Sequence, residues 1–302
     1  MKKNIVFYFE YSWEKAKLDT PFEWCWDNIE KRQSYLIEEL ISDNTEIYLV
    51  RHEENHIEEN YFIPEYIFEN WDWIHIKAEK IYAHLCLGYK ISKTVTNIFP
   101  SLNEYMRDKR VTEELFPQYS IASIECQDYN DIVRNFSRVQ TTHKVLKPYN
   151  GSQWKWVFIT ESIPQKNEFD SSLFPYLLQE FIDTSDWFWW HNWYYDLRII
   201  ILSWRIIWKI LRQPKKWKHI ANVAQEWILI DLESYELPTK IEKIIDEVDR
   251  YFQKISKHRY YSIDFWIDKS WVVKIFEMNS YPGLGIPRVA KELWKYIMKN
   301  MI

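Results

Sequence analysis

The stretch Tyr260-Tyr261-Ser262-Ile263-Asp264-Phe265-Trp266-Ile267-Asp268-Lys269-Ser270-Trp271-Val272-Val273-Lys274-Ile275-Phe276-Glu277-Met278-Asn279 decides the fold. Two runs rich in β-branched and aromatic residues flank a short polar segment, the pattern of a β-hairpin. Pairing Asp268 with Trp271 sets Asp264 opposite Ile275. Strand side chains alternate with period two, so Glu277 and Asn279 share the face of Ile275 and Asp264 lies diagonal to Glu277. Three oxygen donors then gather at one strand end. Mg2+ takes one or two carboxylates and completes its shell with water and phosphate oxygens. An Asp and a Glu inside such apolar strands fit that role better than a solvated polar edge. Asp264, Glu277 and Asn279 are the candidate metal ligands.

Working back toward the N-terminus, residues 196–212 read as another hairpin, with Arg198 and Arg212 near its open end. Arginines there can clamp a transferring phosphoryl group, or make surface salt bridges. A strict two-residue turn at Ser203-Trp204 predicts Arg198 and Arg212 on opposite faces. Both can serve one site only if the register is bulged or Arg212 lies past the strand end. Further upstream, His143-Lys144-Val145-Leu146-Lys147-Pro148 is a strand that runs into the polar loop Tyr149-Asn150-Gly151-Ser152-Gln153. Such a loop can cradle phosphates with backbone N–H groups, or be a plain hairpin turn. The stretch His52-Glu53-Glu54-Asn55-His56 matches the HExxH pattern of zinc proteases. Its polar surroundings favour a charged loop or helix start.

Length and periodicity supply the frame. A chain of 302 residues suggests about two domains. Strands over 5–9 and 46–50, with a helical apolar face over 29–41, predict an α/β start. Residues 74–95 hold short apolar runs, and the character changes near residue 96. Residues 101–140 read as helical with one break near Pro117. Strands dominate from 143 onward, interrupted by an amphipathic helix over 241–255, and a last helix follows Pro287. The expected class is α+β, with an N-terminal α/β domain over 1–96 and a larger region over 97–302.

The bulk numbers exclude several classes. A net charge of -5, from 39 Lys+Arg against 44 Asp+Glu, gives no basic footprint for nucleic acid. The cysteines Cys25, Cys86 and Cys126 are far apart and read as free thiols of a reducing cytoplasm. The first ten residues are too short in apolar character for a signal peptide. The most apolar stretch, 197–211, is broken by Arg198, Arg205 and Lys209, so no membrane span is expected.

Together these segments resemble the ATP-grasp superfamily, specifically its glutathione-synthetase and RimK-like ligases, over about residues 97–290. The resemblance rests on order: Lys109, the Lys147-Pro148 strand with its loop, Gln179-Glu180-Phe181-Ile182 as a hinge strand, Asp196-Leu197-Arg198, Arg212, Asn222, and Asp264…Glu277-Met278-Asn279. It implies two α+β subdomains that sandwich ATP, behind an N-terminal α/β domain. It also implies transfer of the γ-phosphoryl group to a carboxylate, and attack of an amine or thiol on the acyl-phosphate to form an amide. Lys109 and Lys147 would bind ATP, with Gly151, Ser152 and Gln153 around its phosphates. The hinge residues Gln179, Glu180, Phe181 and Ile182 would bind adenine, and Asn222 would also lie in the cofactor site. Arg198 and Arg212 would neutralise developing charge as catalytic residues. Asp264, Glu277 and Asn279 would hold Mg2+, with Mn2+ as the other candidate. The partners implied are small-molecule or peptide carboxylates and amines, with neither nucleic acid nor membrane, in the cytoplasm. The reading from another class is a non-catalytic nucleotide-binding or aromatic-rich binding module.

One departure explains an oddity of composition. The chain has 18 Trp and only 4 Gly, and the two counts together come to the roughly 7% that glycine alone usually takes. Tryptophans stand where the family pattern has glycine: Trp154 and Trp156 in the phosphate loop, Trp204 and Trp271 in hairpin turns, Trp73 after Asp72, and several in 186–193. A gene that reads UGA as glycine, translated here with UGA as tryptophan, would give this pattern. Trp208 and Trp294, inside an expected strand and helix, fit it least.

Overall fold

The computed structural model describes residues 2–9, 37, 40–41, 44–50, 55–70, 72–77, 79–89, 98–99, 102–106, 109–149, 156–185, 195–214, 227–280, 282 and 286–301. By proximity the chain divides into two compact units. The first gathers residues 1–104, 256–261 and 280–302, and the second 105–255 and 262–279.

The first unit begins with β1 (Lys3–Phe9), β2 (Thr45–Val50), β3 (His56–Glu58), β4 (Tyr61–Phe62), β5 (Tyr66–Glu69), β6 (Asp72–His75), β7 (Ile81–Tyr82), β8 (Leu85–Tyr89) and β9 (Ile98–Phe99). Six of them form a sheet in the order β6-β5-β2-β1-β8-β9. The pairs β1–β2, β1–β8 and β8–β9 are parallel. Ile5, Val6, Phe7 and Tyr8 are all fully buried, because a central parallel strand is covered on both faces and its sequence is continuously apolar. Most of the helix expected over 29–41 lies outside the described residues, although Ile37 and Leu40 are helical and buried. Of the HExxH stretch, residues 52–54 lie outside the description too. His56 opens strand β3, which is not the helix that pattern needs. Cys86 and Cys126 are free and buried.

The β5–β6 hairpin holds Trp73, one of the tryptophans in a glycine-type position. Glu69 pairs with Asp72, and Asn70 between them takes φ 51. Asp72-Trp73 is strand, and the Trp73 ring packs edge-on against Phe68 across the pair.

The second unit opens with the end of α1 (Asn103–Met106), followed by α2 (Lys109–Leu115), β10 (Ser123–Cys126) and α3 (Tyr129–Asn135). Strand β10 corrects the helical reading of 101–140. Its residues pair with a later strand, and the Asp128 side chain then caps α3 by accepting from the Asp131 N–H. With β11 (Lys144–Pro148), β12 (Phe158–Thr160) and β13 (Tyr176–Glu180) it makes a four-stranded antiparallel sheet, in the order β10-β13-β11-β12. Cys126, Ile132, Phe136, Leu146, Tyr176 and Leu178 form its core.

A five-stranded sheet follows, built from β14 (Asp196–Leu202), β15 (Arg205–Pro214), β16 (Trp227–Asp231), then, after helix α4 (Thr239–Gln253), β17 (Tyr260–Ile267) and β18 (Val273–Asn279). Its order is β16-β15-β14-β17-β18. Helix α4 buries Ile241, Ile244, Ile245, Val248 and Phe252, the face that the 3.6-residue period marks out. Helix α5 (Pro287–Asn300) returns to the first unit, with Pro in its first turn and Val289, Ala290, Leu293 and Ile297 buried. No helix among the described residues is long and apolar enough to cross a membrane.

Candidate active site

Two hairpins of the five-stranded sheet bring the charged residues together, and each contains a bulge. In β14–β15, Leu202 pairs with Arg205 and Ile201 with Ile206, but Ile200 pairs with Trp208. Ile207 is the extra residue. From there the register runs to Asp196 opposite Arg212. Asp196 and Arg198 are two apart on one strand, so Arg212 joins their face. A strict hairpin would have sent it to the other. The open alternative in the sequence is thereby settled in favour of the bulge. The turn itself puts its positive φ, 55, on Ser203 and not on Trp204.

The β17–β18 register differs from the expected one. Ile267 pairs with Val273 and Phe265 with Ile275, whereas Asp264 pairs with Glu277 and Ser262 with Asn279. Phe276 is the bulged residue. The turn is longer than expected because the Asp268 carboxylate accepts from the backbone N–H of both Ser270 and Val272, at 2.8 Å each. Asp264 therefore faces Glu277 directly instead of diagonally. Ser262, Asp264, Glu277 and Asn279 all lie on one face.

Asp264 is fully buried and doubly clamped. Arg198 donates to it through Nε at 2.7 Å and Nη2 at 2.6 Å, a planar two-point contact. Arg212 donates to the same carboxylate through Nη2 at 2.7 Å and to Asp196 through Nε at 2.5 Å. Burial works against the Asp264 charge, but the two guanidiniums outweigh it and hold its carboxyl below the usual range. Burial dominates at Asp196 and pushes it up to about 6, against the pull of Arg212. Burial likewise opposes the Arg212 charge, and the two aspartates outweigh it.

A second group of residues lies toward the four-stranded sheet. The Trp266 and Phe276 rings stack with centroids 4.1 Å apart and planes 10° from parallel. Ile121 and Ile182 pack with them. The Lys147 ammonium lies 4.5 Å from the centre of the Phe276 ring. Burial, with the neighbouring Lys109 charge, brings Lys147 down to about 7, although Glu277 and Glu113 pull the other way. At the hinge, the Gln179 side chain donates to the Ile121 carbonyl at 3.2 Å, and the Phe181 N–H donates to Thr141 Oγ1 at 3.3 Å. Glu180 ends β13 and is exposed.

Among the described candidates, the structure brings Arg198, Arg212, Asp264, Glu277 and Asn279 onto one sheet face, and Lys109 and Lys147 into electrostatic range of each other. Gly151, Ser152, Gln153 and Asn222 lie outside the described residues, as do Trp154 and residues 186–194. Sequence reasoning gave no role to Asp196, Trp266 or Phe276. The alternation that places Asp264 also places Trp266 on its face, so that signal was present in the strand period. The Phe276 bulge left none.

The donor set suits a hard divalent cation. No group of three His, Cys, Asp or Glu side chains exists among the described residues. Two carboxylates and one carboxamide oxygen, leaving positions for water and phosphate, are a magnesium-type set and not a zinc one. The buried Asn279 Nδ2 has no hydrogen-bond partner, so the side chain has bonding capacity still to use.

A four-stranded antiparallel sheet and a five-stranded sheet built around two antiparallel hairpins, with the charged residues described above, match the ATP-grasp fold. Over nearly its whole length the chain is similar to D-alanyl-alanine synthetase A from Vibrio cholerae. The TM-score is 0.65 and the identity 9%, over 99% of this chain and 98% of that one. It is similar to the VanG D-Ala:D-Ser ligase from Enterococcus faecalis at TM-score 0.63 and 12% identity, over 100% of both chains. It is also similar to the ATP-grasp ligase PsnB complexed with a phosphomimetic variant of its minimal precursor, Mg and ADP. That match has a TM-score of 0.54 and 13% identity, over 98% of this chain and 99% of that one. No protein-family model and no curated protein sequence matches the chain.

Proposed function

We propose that this protein is an ATP-dependent carboxylate–amine ligase that forms an amide bond through an acyl-phosphate. The observation that carries the reading is the gathering of Asp264, Glu277 and Asn279 on the sheet face that also presents Arg198 and Arg212. The ATP-grasp neighbours support it, and PsnB is described with Mg and ADP. In this reading residues 1–96 are the pre-ATP-grasp domain and residues 97–302 the ATP-grasp domain.

Each residue takes a role from its surroundings. The apolar shelf of Trp266, Phe276, Ile121 and Ile182 receives adenine, with residues 179–182 along its edge. Lys147, poorly solvated and close to neutral, gains its proton when phosphate approaches, and Lys109 adds charge beside it. Asp264, Glu277 and Asn279 would hold Mg2+, or Mn2+ in its place. A bound divalent ion supplies charge neutralisation at the phosphates and a template for in-line transfer. Arg198 and Arg212 face the charge that develops as the γ-phosphoryl group passes to the substrate carboxylate. Such transfers depend mainly on positioning and electrostatics. The amine nitrogen (or a thiol) then bonds to the acyl carbon as the C–O bond to phosphate breaks. The nitrogen loses its proton, and amide, phosphate and ADP result. The proposed substrates are a small-molecule or peptide carboxylate and an amine, and the proposed location is the cytoplasm, where ATP is supplied.

The test is ADP release measured against a panel of carboxylates and amines. Turnover that needs both partners supports the ligase. Nucleotide binding with no turnover under any pair identifies a binding module instead.

A further inference from the structure

Ser262 stands directly opposite Asn279 in the β17–β18 register, next to the Asp264–Glu277 pair on the same face. Ser262 is 0% exposed, and its Oγ has no hydrogen-bond partner. The Asn279 Nδ2 is buried and has none either. An unpaired buried polar group is costly, and native proteins leave few of them. Here two such atoms belong to opposed residues, whose Cβ atoms in a paired ladder are about 4.5–5.5 Å apart. Their chemistry is complementary, because an amide nitrogen only donates and a hydroxyl oxygen can accept.

We propose that Ser262 is a positioning residue of the metal centre. The two groups are not hydrogen-bonded to each other in this structure; when Asn279 turns its Oδ1 to a divalent cation beside Asp264 and Glu277, the Ser262 hydroxyl accepts from the Nδ2 that turns with it and fixes that orientation. This rests on the nucleotide–metal reading above. A carboxamide has one oxygen and one NH2, and rotation about its last torsion exchanges them. Only the oxygen can ligate a cation. An acceptor fixed on the strand opposite removes that ambiguity, which is how outer partners commonly tune metal ligands. Alanine at 262 would keep the strand and its burial but lose the acceptor.

The test uses the full chain, carrying at its Trp positions the residues its codons specify in its own genetic code. Free Mn2+ is counted by electron paramagnetic resonance during titration in saturating ADP. Ser262→Ala is expected to weaken Mn2+ binding about tenfold without lowering the urea midpoint, since it removes an unsatisfied hydroxyl. Asn279→Ala is expected to weaken it at least as much, and the double variant no further than Asn279→Ala alone. Unchanged Mn2+ affinity in Ser262→Ala overturns the proposal, as do losses that simply add in the double variant. Absence of ADP-dependent Mn2+ binding in the unsubstituted chain overturns the nucleotide–metal reading, and the proposal with it.

Discussion

Trp156 and Trp271 adopt φ values of 65 and 62, in the left-handed region where a Cβ crowds the backbone. Each is 45% exposed, so little indole packing repays that cost. Trp271→Gly is expected to raise unfolding stability by about 1 kcal/mol, read from urea melts, and a loss would show that the indole packs more than its exposure implies. Sequencing the gene is expected to show UGA at both positions; UGG there would sink the recoding idea. The glycine deficit was readable from composition. Its placement was readable only in part, because Ser203 takes the positive φ beside Trp204. Lys147 carries a second expectation. Its pKa falls from 10.5 to about 7 in the fold, so the unfolded chain binds more protons between those values. Stability should therefore rise with pH across that window. A phosphate beside Lys147 restores the charge. ADP binding at pH 8 should thus take up protons in calorimetry across buffers of different ionisation enthalpy, and Lys147→Met should abolish the uptake.

At the level of elements, the site depends on two one-residue bulges. Each reverses the face parity of everything beyond it. Hydrophobic pattern and motif order marked both hairpins, with Arg198, Arg212, Asp264 and Glu277 in them. A bulge leaves no mark in the pattern, because Ile207 and Phe276 are ordinary strand residues. The sequence could state that Arg198 and Arg212 needed a bulge to meet, but not that one exists. Deleting Ile207 should return Arg212 to the opposite face and leave the Asp196 and Asp264 carboxylates short of a counter-charge. The expected loss is about 3–5 kcal/mol of stability, together with nucleotide-dependent turnover. Wild-type stability in the deletion variant would mean that the strand re-forms its bulge elsewhere. Strand β10 was missed for a related reason: Ser123-Ile124-Glu125-Cys126 is short, and only its pairing with β13 makes it a strand.

Over the whole molecule, the route of the chain is the least legible feature. Residues 256–261 and 280–302 belong to the same unit as residues 1–104, and local periodicity carries no record of such a return. The charges of the candidate site, by contrast, all come from one unit. Within it Arg198, Arg212, Asp196 and Asp264 make two positive and two negative charges in mutual contact. That balance has a consequence for how the protein matures. In proteins whose ligating carboxylates or thiolates have no partner of their own, the ion is a folding cofactor, and chelators unfold them. Here the chain supplies its own counter-ions, so folding does not wait on metal supply. Addition of EDTA is expected to leave the thermal midpoint unchanged, and a marked drop would show that the guanidiniums do not suffice. In the proposed ligase the divalent ion would be an exchangeable reagent that arrives after the polypeptide is finished, so a cell short of metal would accumulate intact, idle protein instead of degraded chains.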